Sequence, residues 1–181
     1  MFCLQVDEQL KLALVQSSFA EIYLQLVSED LDYLKQWLAW PSLTLNQAFF
    51  ERFVQNSLRD YADGKSLTCA MIYQNELVGN ISFNEIDQAL KSAQIGYWLC
   101  SKFQGKGIVT SAAKRLIQYG FEELNLDWIQ INAAEHNIPS RAVAQRLGFD
   151  FKTIALKAEL INGDLLNHAI YMLEKGDYQT S

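Results

Sequence analysis

The sequence predicts an α/β domain built on one mixed sheet, and three observations carry that expectation. An apolar, aromatic run of strand length at residues 95–99 leads through the turn Gln104-Gly105-Lys106-Gly107 into a segment with helical periodicity. There Val109, Ala112, Ala113, Leu116, Gly120, Phe121 and Leu124 recur at spacings of three and four. Strand-like runs bounded by turn residues lie on both sides of this unit, giving the order β, α, α, α, β, β, β, α, β, α, β, β. The 181 residues, 50% hydrophobic and 20% charged, supply one core and are too few for two ordinary domains, so residues 1–181 read as one domain.

In chain order, residues 2–6 and 10–15 are short apolar runs that suggest a first strand or hairpin. Ser18-x-x-Glu21 has the pattern of a capping box, and Phe19, Ile22, Tyr23 and Leu26 continue it as a helix. A second short helix is expected over residues 29–37, ended by Trp40-Pro41, because the residue before proline avoids the α region. Thr44-x-x-Gln47 is a second capping-box pattern, opening a helix through Phe50, Val54 and Leu58 to a Gly64 cap. Residues 67–73, 77–83 and 93–99 form an antiparallel meander. The central helix spans 108–124, and a strand over 128–133 follows. Asn137-Ile138-Pro139-Ser140 starts another helix, stopped at Gly148-Phe149. Residues 151–160 and 165–173 pair across Asn162-Gly163-Asp164, a strong hairpin signal.

Composition narrows the function classes. The first fifteen residues lack a basic start followed by an unbroken apolar segment, and no apolar run reaches the ~18 residues of a membrane helix, so a cytosolic protein without a membrane partner is expected. Cys3, Cys69 and Cys100 are odd in number and widely spaced, which predicts reduced thiols and no metal site. The formal charge of −6 argues against direct nucleic-acid binding. That charge is uneven: residues 1–100 hold 6 basic against 12 acidic side chains, whereas residues 101–152 hold 7 against 5. The net-positive segment surrounds the glycine turn, as an anionic cofactor would require.

A glycine turn at a helix start is chemically useful because the first amide N–H groups have no intrahelical partner and the helix dipole is positive there, which favours phosphate. The spacing decides which phosphate ligand. A P-loop would need Gly-x-x-x-x-Gly-Lys-Ser/Thr and a dinucleotide fingerprint Gly-x-Gly-x-x-Gly; Gly105-x-Gly107 followed by Ile108, Val109 and Thr110 fits neither. The stretch Gln104-Gly105-Lys106-Gly107-Ile108-Val109 resembles the pyrophosphate loop of the GNAT acyltransferases, Gln/Arg-x-x-Gly-x-Gly/Ala, with Val109 where the family usually carries Gly or Ala. The element order matches that fold, a single, mostly antiparallel mixed sheet flanked by helices. Trp37-x-x-Trp40-Pro41, Ile81-Ser82-Phe83-Asn84, Ile95-Gly96-Tyr97-Trp98-Leu99, Asn137-x-x-Ser140 and Leu156-Lys157-Ala158-Glu159 are similar to the RimL/RimJ branch of ribosomal-protein N-terminal acetyltransferases.

The resemblance implies acetyl-CoA as donor, a protein N-terminal amine as acceptor and often a homodimer. Carried over residue by residue, it implies that Gln104 and the backbone amides of Gly105, Lys106, Gly107, Ile108, Val109 and Thr110 cradle the pyrophosphate. Trp98, Leu99 and Cys100 would pair with the pantetheine arm, Asn137 would fix it, and Ser140 would lie near the thioester sulfur as general acid. Glu159 matches the family's general base, and Trp37, Trp40, Asn84 and Tyr97 are candidates for the acceptor side. The amine must be neutral to attack and the departing thiolate must receive a proton, so two proton-handling residues and an amide donor suffice without a metal. Each residue also has a plainer role available. Asn137 and Ser140 suit a helix start, Glu159 suits a solvated strand position beside Lys157, and the tryptophans and Tyr97 suit a core. A small-amine acetyltransferase and a silent acyl-CoA-binding module are the competing functions, and the presence of both Glu159 and Ser140 favours catalysis.

Overall fold

In the computed structural model, which describes residues 2–42 and 45–178, eight strands form one sheet in the order β1-β2-β3-β4-β5-β6-β8-β7. β1 (Cys3–Gln5) and β2 (Leu10–Leu14) form a hairpin, and β3 (Leu67–Tyr73), β4 (Glu76–Asp87) and β5 (Ser92–Leu99) form a meander. β6 (Trp128–Ala134), β7 (Asp150–Ile161) and β8 (Asp164–Glu174) complete the sheet, in which β5 and β6 are the parallel neighbours. Turn chemistry sets the hairpins. Gln74 and Asn75 (φ 51° and 68°) and Asn162 and Gly163 (φ 52° and 93°) take the left-handed conformations of a two-residue connection whose twist matches that of the strands.

A parallel pair needs a crossover, here α4 (Ile108–Glu122). Its stripe of Ile108, Ala112, Ala113, Leu116, Ile117 and Phe121 is buried in one layer with Cys69, Met71, Phe83, Ile95 and Ile131. The second layer comes from α1 (Ala20–Glu29), α2 (Leu31–Leu34) and α3 (Gln47–Ala62), whose Tyr23, Leu26, Val27, Leu34, Phe50 and Val54 join Ala13, Ala70, Leu77 and Cys100. Neighbours on β3 therefore serve opposite layers, as the two-residue period of a strand requires. α5 (Ile138–Arg146) adds Val143 and Ala144 to the α4 layer. Among the described residues no helix is long and apolar enough to cross a membrane.

Helix starts differ from the sequence expectation. Ser18 and Glu21 form no capping box; a 3-10 turn, Ser17–Phe19, leads into α1, and no side chain caps its amides. Thr44 lies outside the described residues, and the cap of α3 is Asn46, whose Oδ1 accepts the Phe49 N–H at 2.9 Å. The helix expected over 29–37 is the single turn α2, and Pro41 lies in a separate 3-10 turn, Trp40–Ser42.

Burial pushes the thiol of Cys69 up to about 12 and that of Cys100 up to about 11. Unfolded thiols ionise near pH 8.5 to 9, so above that pH the unfolded chain holds fewer protons than the folded one. Stability is therefore intact below pH 9 and falls as the pH rises towards 11, by about 1.4 kcal/mol per pH unit for each thiol. Urea unfolding at pH 8, 9, 10 and 11 should show this decline, with a shallower slope in Cys69→Ala.

Candidate active site

β5 and β6 pair only over residues 92–95 and 128–131, although β5 runs on to Leu99 and β6 to Ala134. Beyond Ile95 the two strands part while β4 continues to hold β5 and β8 continues to hold β6. Asn84 is an extra residue in β4, where the register shifts between Phe83 and Glu85, and such a bulge bends and twists the strands it joins. Gly96 lies beside the bend. A Cβ there would lie 2.3 Å from Asn84 Nδ2, so only glycine leaves Asn84 its place. Ser82 Oγ fixes that amide further, donating to Asn84 Oδ1 at 2.6 Å.

Two cavities meet where the strands part. The smaller, about 510 Å³, is lined by every residue expected on the cofactor side except Cys100. The Cys100 side chain is buried in the α1–α3 layer and its N–H donates to Val78 O at 3.0 Å. Gly105 and Gly107 both have φ of 74°, and no heavy atom lies within 4 Å of an ideal Cβ on either. The backbone thus turns past open space, and the Ser111 N–H to Gly107 O bond begins the α4 ladder, leaving the amides of Ile108, Val109 and Thr110 ahead of it. Val109 lines the groove and packs on the α4 layer, so the larger side chain at this position is accommodated by the core. Lys106 and Arg146 line the groove, and no carboxylate does among the described residues. The α1–α2 junction holds the loop: Asp30 accepts the Ser101 N–H at 2.6 Å and the Ser101 Oγ–H at 2.7 Å, and Gln104 donates to the Tyr33 hydroxyl.

The larger cavity, about 860 Å³, is lined by Trp37, Trp40, Asn84 and Tyr97, and by Ser140 and Glu159. Trp40 stacks on Phe49 at 6.2 Å and meets Trp98 at 6.1 Å, forming an aromatic wall. Among its described lining residues the carboxylates are Asp60 and Glu159, and none is Lys or Arg. Trp37, Tyr97, Trp98, Asn137 and Ser140 line both cavities and so mark their junction.

At the junction, Asn137 is the cap of α5, its Oδ1 accepting the Ser140 N–H at 3.2 Å. Ser140 is therefore not the cap. Its hydroxyl lies 3.0 Å from the Tyr97 oxygen, and the Tyr97 hydroxyl also reaches Ser140 O at 3.0 Å. The Tyr97 O–H can donate to the carbonyl or to the Ser140 Oγ, and in the second arrangement the Ser140 O–H is left to point into the junction. Burial pushes Tyr97 up to about 12, which keeps it a neutral donor at physiological pH.

Glu159 stands where the β7–β8 ladder is interrupted: Ala155 pairs with His168, and the next pair is Glu159 with Leu166. Lys157, within this bulge, has φ of 52°, and its N–H donates to Asn167 Oδ1 at 3.0 Å. Glu159 Oε2 lies 3.2 Å from His168 Nε2. Glu159 lines the larger cavity, and Lys157 does not. Sequence reasoning missed His168, Arg146 and Tyr33. A lone histidine within the apolar run of β8 was the available signal for the first, and the other two are joined to the site by tertiary contacts alone.

Residues 10–150 match the acetyltransferase (GNAT) domain family. The chain belongs to that family. It is 34% identical over 182 residues to a Bacillus subtilis (strain 168) protein provisionally named ribosomal N-acetyltransferase YdaF, covering 99% of this chain and 98% of the relative. Two solved structures are also similar. The RimL ribosomal L7/L12 alpha-N-protein acetyltransferase in complex with coenzyme A superposes with a TM-score of 0.92 at 29% identity, covering 96% of this chain and 98% of that one. The microcin C7 self-immunity acetyltransferase MccE, in complex with acetyl-CoA and AMP, gives 0.89 at 34% identity, covering 93% and 94%. The fold is the GNAT fold, the similarities support its RimL-type branch, and those two relatives hold acetyl-CoA and coenzyme A.

The groove of this GNAT enzyme suits that cofactor: glycine backbone facing open space, cations without carboxylates, and a strand edge left unpaired. Gly107→Val sets a β-branched residue in a left-handed conformation and fills the space in front of the turn. We expect a stability loss of about 1–2 kcal/mol from the backbone and at least a tenfold weaker binding of acetyl-CoA. Thermal melting and titration calorimetry measure the two effects separately, and affinity equal to the parent's would locate the pyrophosphate elsewhere.

Proposed function

We propose that the protein transfers the acetyl group of acetyl-CoA to the N-terminal α-amine of a protein, with a ribosomal protein as acceptor. The observation that carries this reading is the junction: a cationic groove and a carboxylate-bearing cavity meet at Tyr97, Asn137 and Ser140. Bound acetyl-CoA supplies the activated acetyl thioester. The amides from Gly105 to Thr110, with Lys106 and Arg146, hold its pyrophosphate, and Asn137 and the free edge of β5 hold its pantetheine. Glu159 takes the proton of the amine, directly or through a water, and Ser140 Oγ, accepting the Tyr97 O–H, turns its own O–H to the leaving sulfur and would deliver the proton there. Trp37, Trp40 and Asn84 wall the acceptor. The RimL and YdaF names support a ribosomal acceptor, and the reaction belongs in the cytoplasm, where ribosomes and acetyl-CoA meet. Leu156, Leu160 and Leu165, exposed on the β7–β8 hairpin, offer a homodimer an apolar surface to bury.

Proton availability favours the α-amine. With a pKa near 7.7 to 8.0, roughly a tenth of it is neutral at pH 7, against well under a thousandth of a lysine with a pKa of about 10.4. A carboxylate then has only to complete a deprotonation already near its midpoint, while the acidic cavity attracts the charged form. A small amine is the second reading, favoured by the aromatic wall and by a volume within the range of small-molecule sites.

Two peptides separate the readings, one with a free N-terminal serine and a blocked lysine, the other with a blocked terminus and a free lysine. Acetylation of the first, lost in Glu159→Gln, is the expected result. Acetylation of the lysine peptide alone, or turnover only of free polyamines, would refute the α-amine assignment. Ser140→Ala should lower kcat by about a hundredfold or more while leaving the KM for acetyl-CoA nearly unchanged, because a proton donor to the leaving group acts in the transition state. A drop in melting temperature with kcat intact would reduce Ser140 to a structural residue.

A further inference from the structure

We infer that His168 is a positioning residue for the acceptor amine's base: its imidazole, in contact with Oε2 of Glu159 through Nε2, holds that oxygen and leaves Oε1 to the acceptor cavity. The inference rests on the reading of Glu159 as that base. It begins from a problem of placement. Glu159 is on β7, the last strand of the sheet, beside a bulge, and its side chain is 38% exposed. A long carboxylate at such a place has many rotamers, and a base must be held within hydrogen-bond reach of the amine to work.

His168 supplies what the edge strand lacks. It is on β8, an interior strand paired on both sides, with Ala134 as its neighbour on β6 and Ala155 on β7. Its side chain is 16% exposed, and Nε2 lies 3.2 Å from Glu159 Oε2. Both residues line the acceptor cavity. That contact fixes one carboxylate oxygen and leaves the other to accept a proton.

The bulge makes room for this pair. Counted from the Asn162-Gly163 turn, where Ile161 pairs with Asp164, a regular ladder would put Lys157 opposite His168. An ammonium group would then compete for Glu159 on the same face. Instead the left-handed backbone at Lys157 turns it away, and a chain of hydrogen bonds holds the turn in place. Lys157 N–H donates to Asn167 Oδ1, Asn167 Nδ2 donates to Glu135 Oε2 at 2.9 Å, and Arg141 Nη1 donates to Glu135 O at 3.0 Å. Glu135 lies just ahead of Asn137 and Ser140, so the network that aims the base is joined to the helix start that carries the proposed acid.

The test is a mutant cycle on acetyl transfer to the peptide with a free N-terminal serine, using His168→Ala, His168→Gln, Glu159→Gln and the double variant His168→Ala/Glu159→Gln. A base released from its anchor loses roughly 10- to 100-fold in kcat, with the KM for acetyl-CoA unchanged. His168→Gln, whose amide can replace the Nε2 contact, should recover most of that loss. The double variant should be no slower than Glu159→Gln, because His168 acts only through Glu159. Circular dichroism and melting curves check that each variant is folded, and His168→Gln keeps the test decisive if His168→Ala is not. A fully active Glu159→Gln would overturn the base and the inference together. An impaired Glu159→Gln beside a fully active His168→Ala would overturn the inference and leave the base standing. Losses that multiply in the double variant, or a His168→Gln as slow as His168→Ala, would also overturn it.

Discussion

The structure depends on one constraint: two parallel strands that pair at their beginnings are made to part at their ends. Strands normally continue pairing because unpaired backbone groups in a protein interior are costly. Here β5 and β6 keep their outer partners and give up each other beyond Ile95 and Ile131. The outer ladders prevent either strand from closing the gap. The sheet therefore carries an interior edge, into which an extended chain with amide groups, such as pantetheine, can be received as a further strand.

Everything chemically useful is arranged around that gap. The β5–α4 connection ends over it, so the glycine turn and the positive end of α4 face the groove. α5 starts beside it, bringing Asn137 and Ser140 to the place where the two cavities join. The N-terminal helices close the other side, and their hold on the β5–α4 connection through Asp30 and Tyr33 ties the aromatic wall of the larger cavity to the glycine turn. The charges divide accordingly. Cations line the groove and carboxylates line the larger cavity, so an anionic ligand and a cationic one would be drawn to opposite sides of Ser140.

Irregularities in the ladders do the aiming. An extra residue at Asn84 accompanies the bend of β5 at Gly96, and the Lys157 bulge turns Glu159 inward at the sheet edge. In each case an amide side chain supports the distortion: Asn84 is held by Ser82, and Asn167 holds Lys157. A bulge costs a regular pair of hydrogen bonds, and these bonds return part of it.

The sequence by itself determined most of the elements, the hairpin turns, the glycine turn and the family, because each depends on residues close together in the chain. Asn162-Gly163 fixes a turn, Gly105 and Gly107 permit a backbone that other residues resist, and the stripe from Ile108 to Phe121 marks a helix with one buried face. Only the tertiary structure decided that Cys100 belongs to the core, that Asn46 caps α3, and that Asn137 caps α5 so that the Ser140 hydroxyl is left to Tyr97. It also decided that Glu159 faces His168 and not Lys157. These outcomes turn on which way a side chain points after a bulge or a cap has shifted the register. Such a shift is set by contacts between strands and helices far apart in the chain, where the local pattern has no reach.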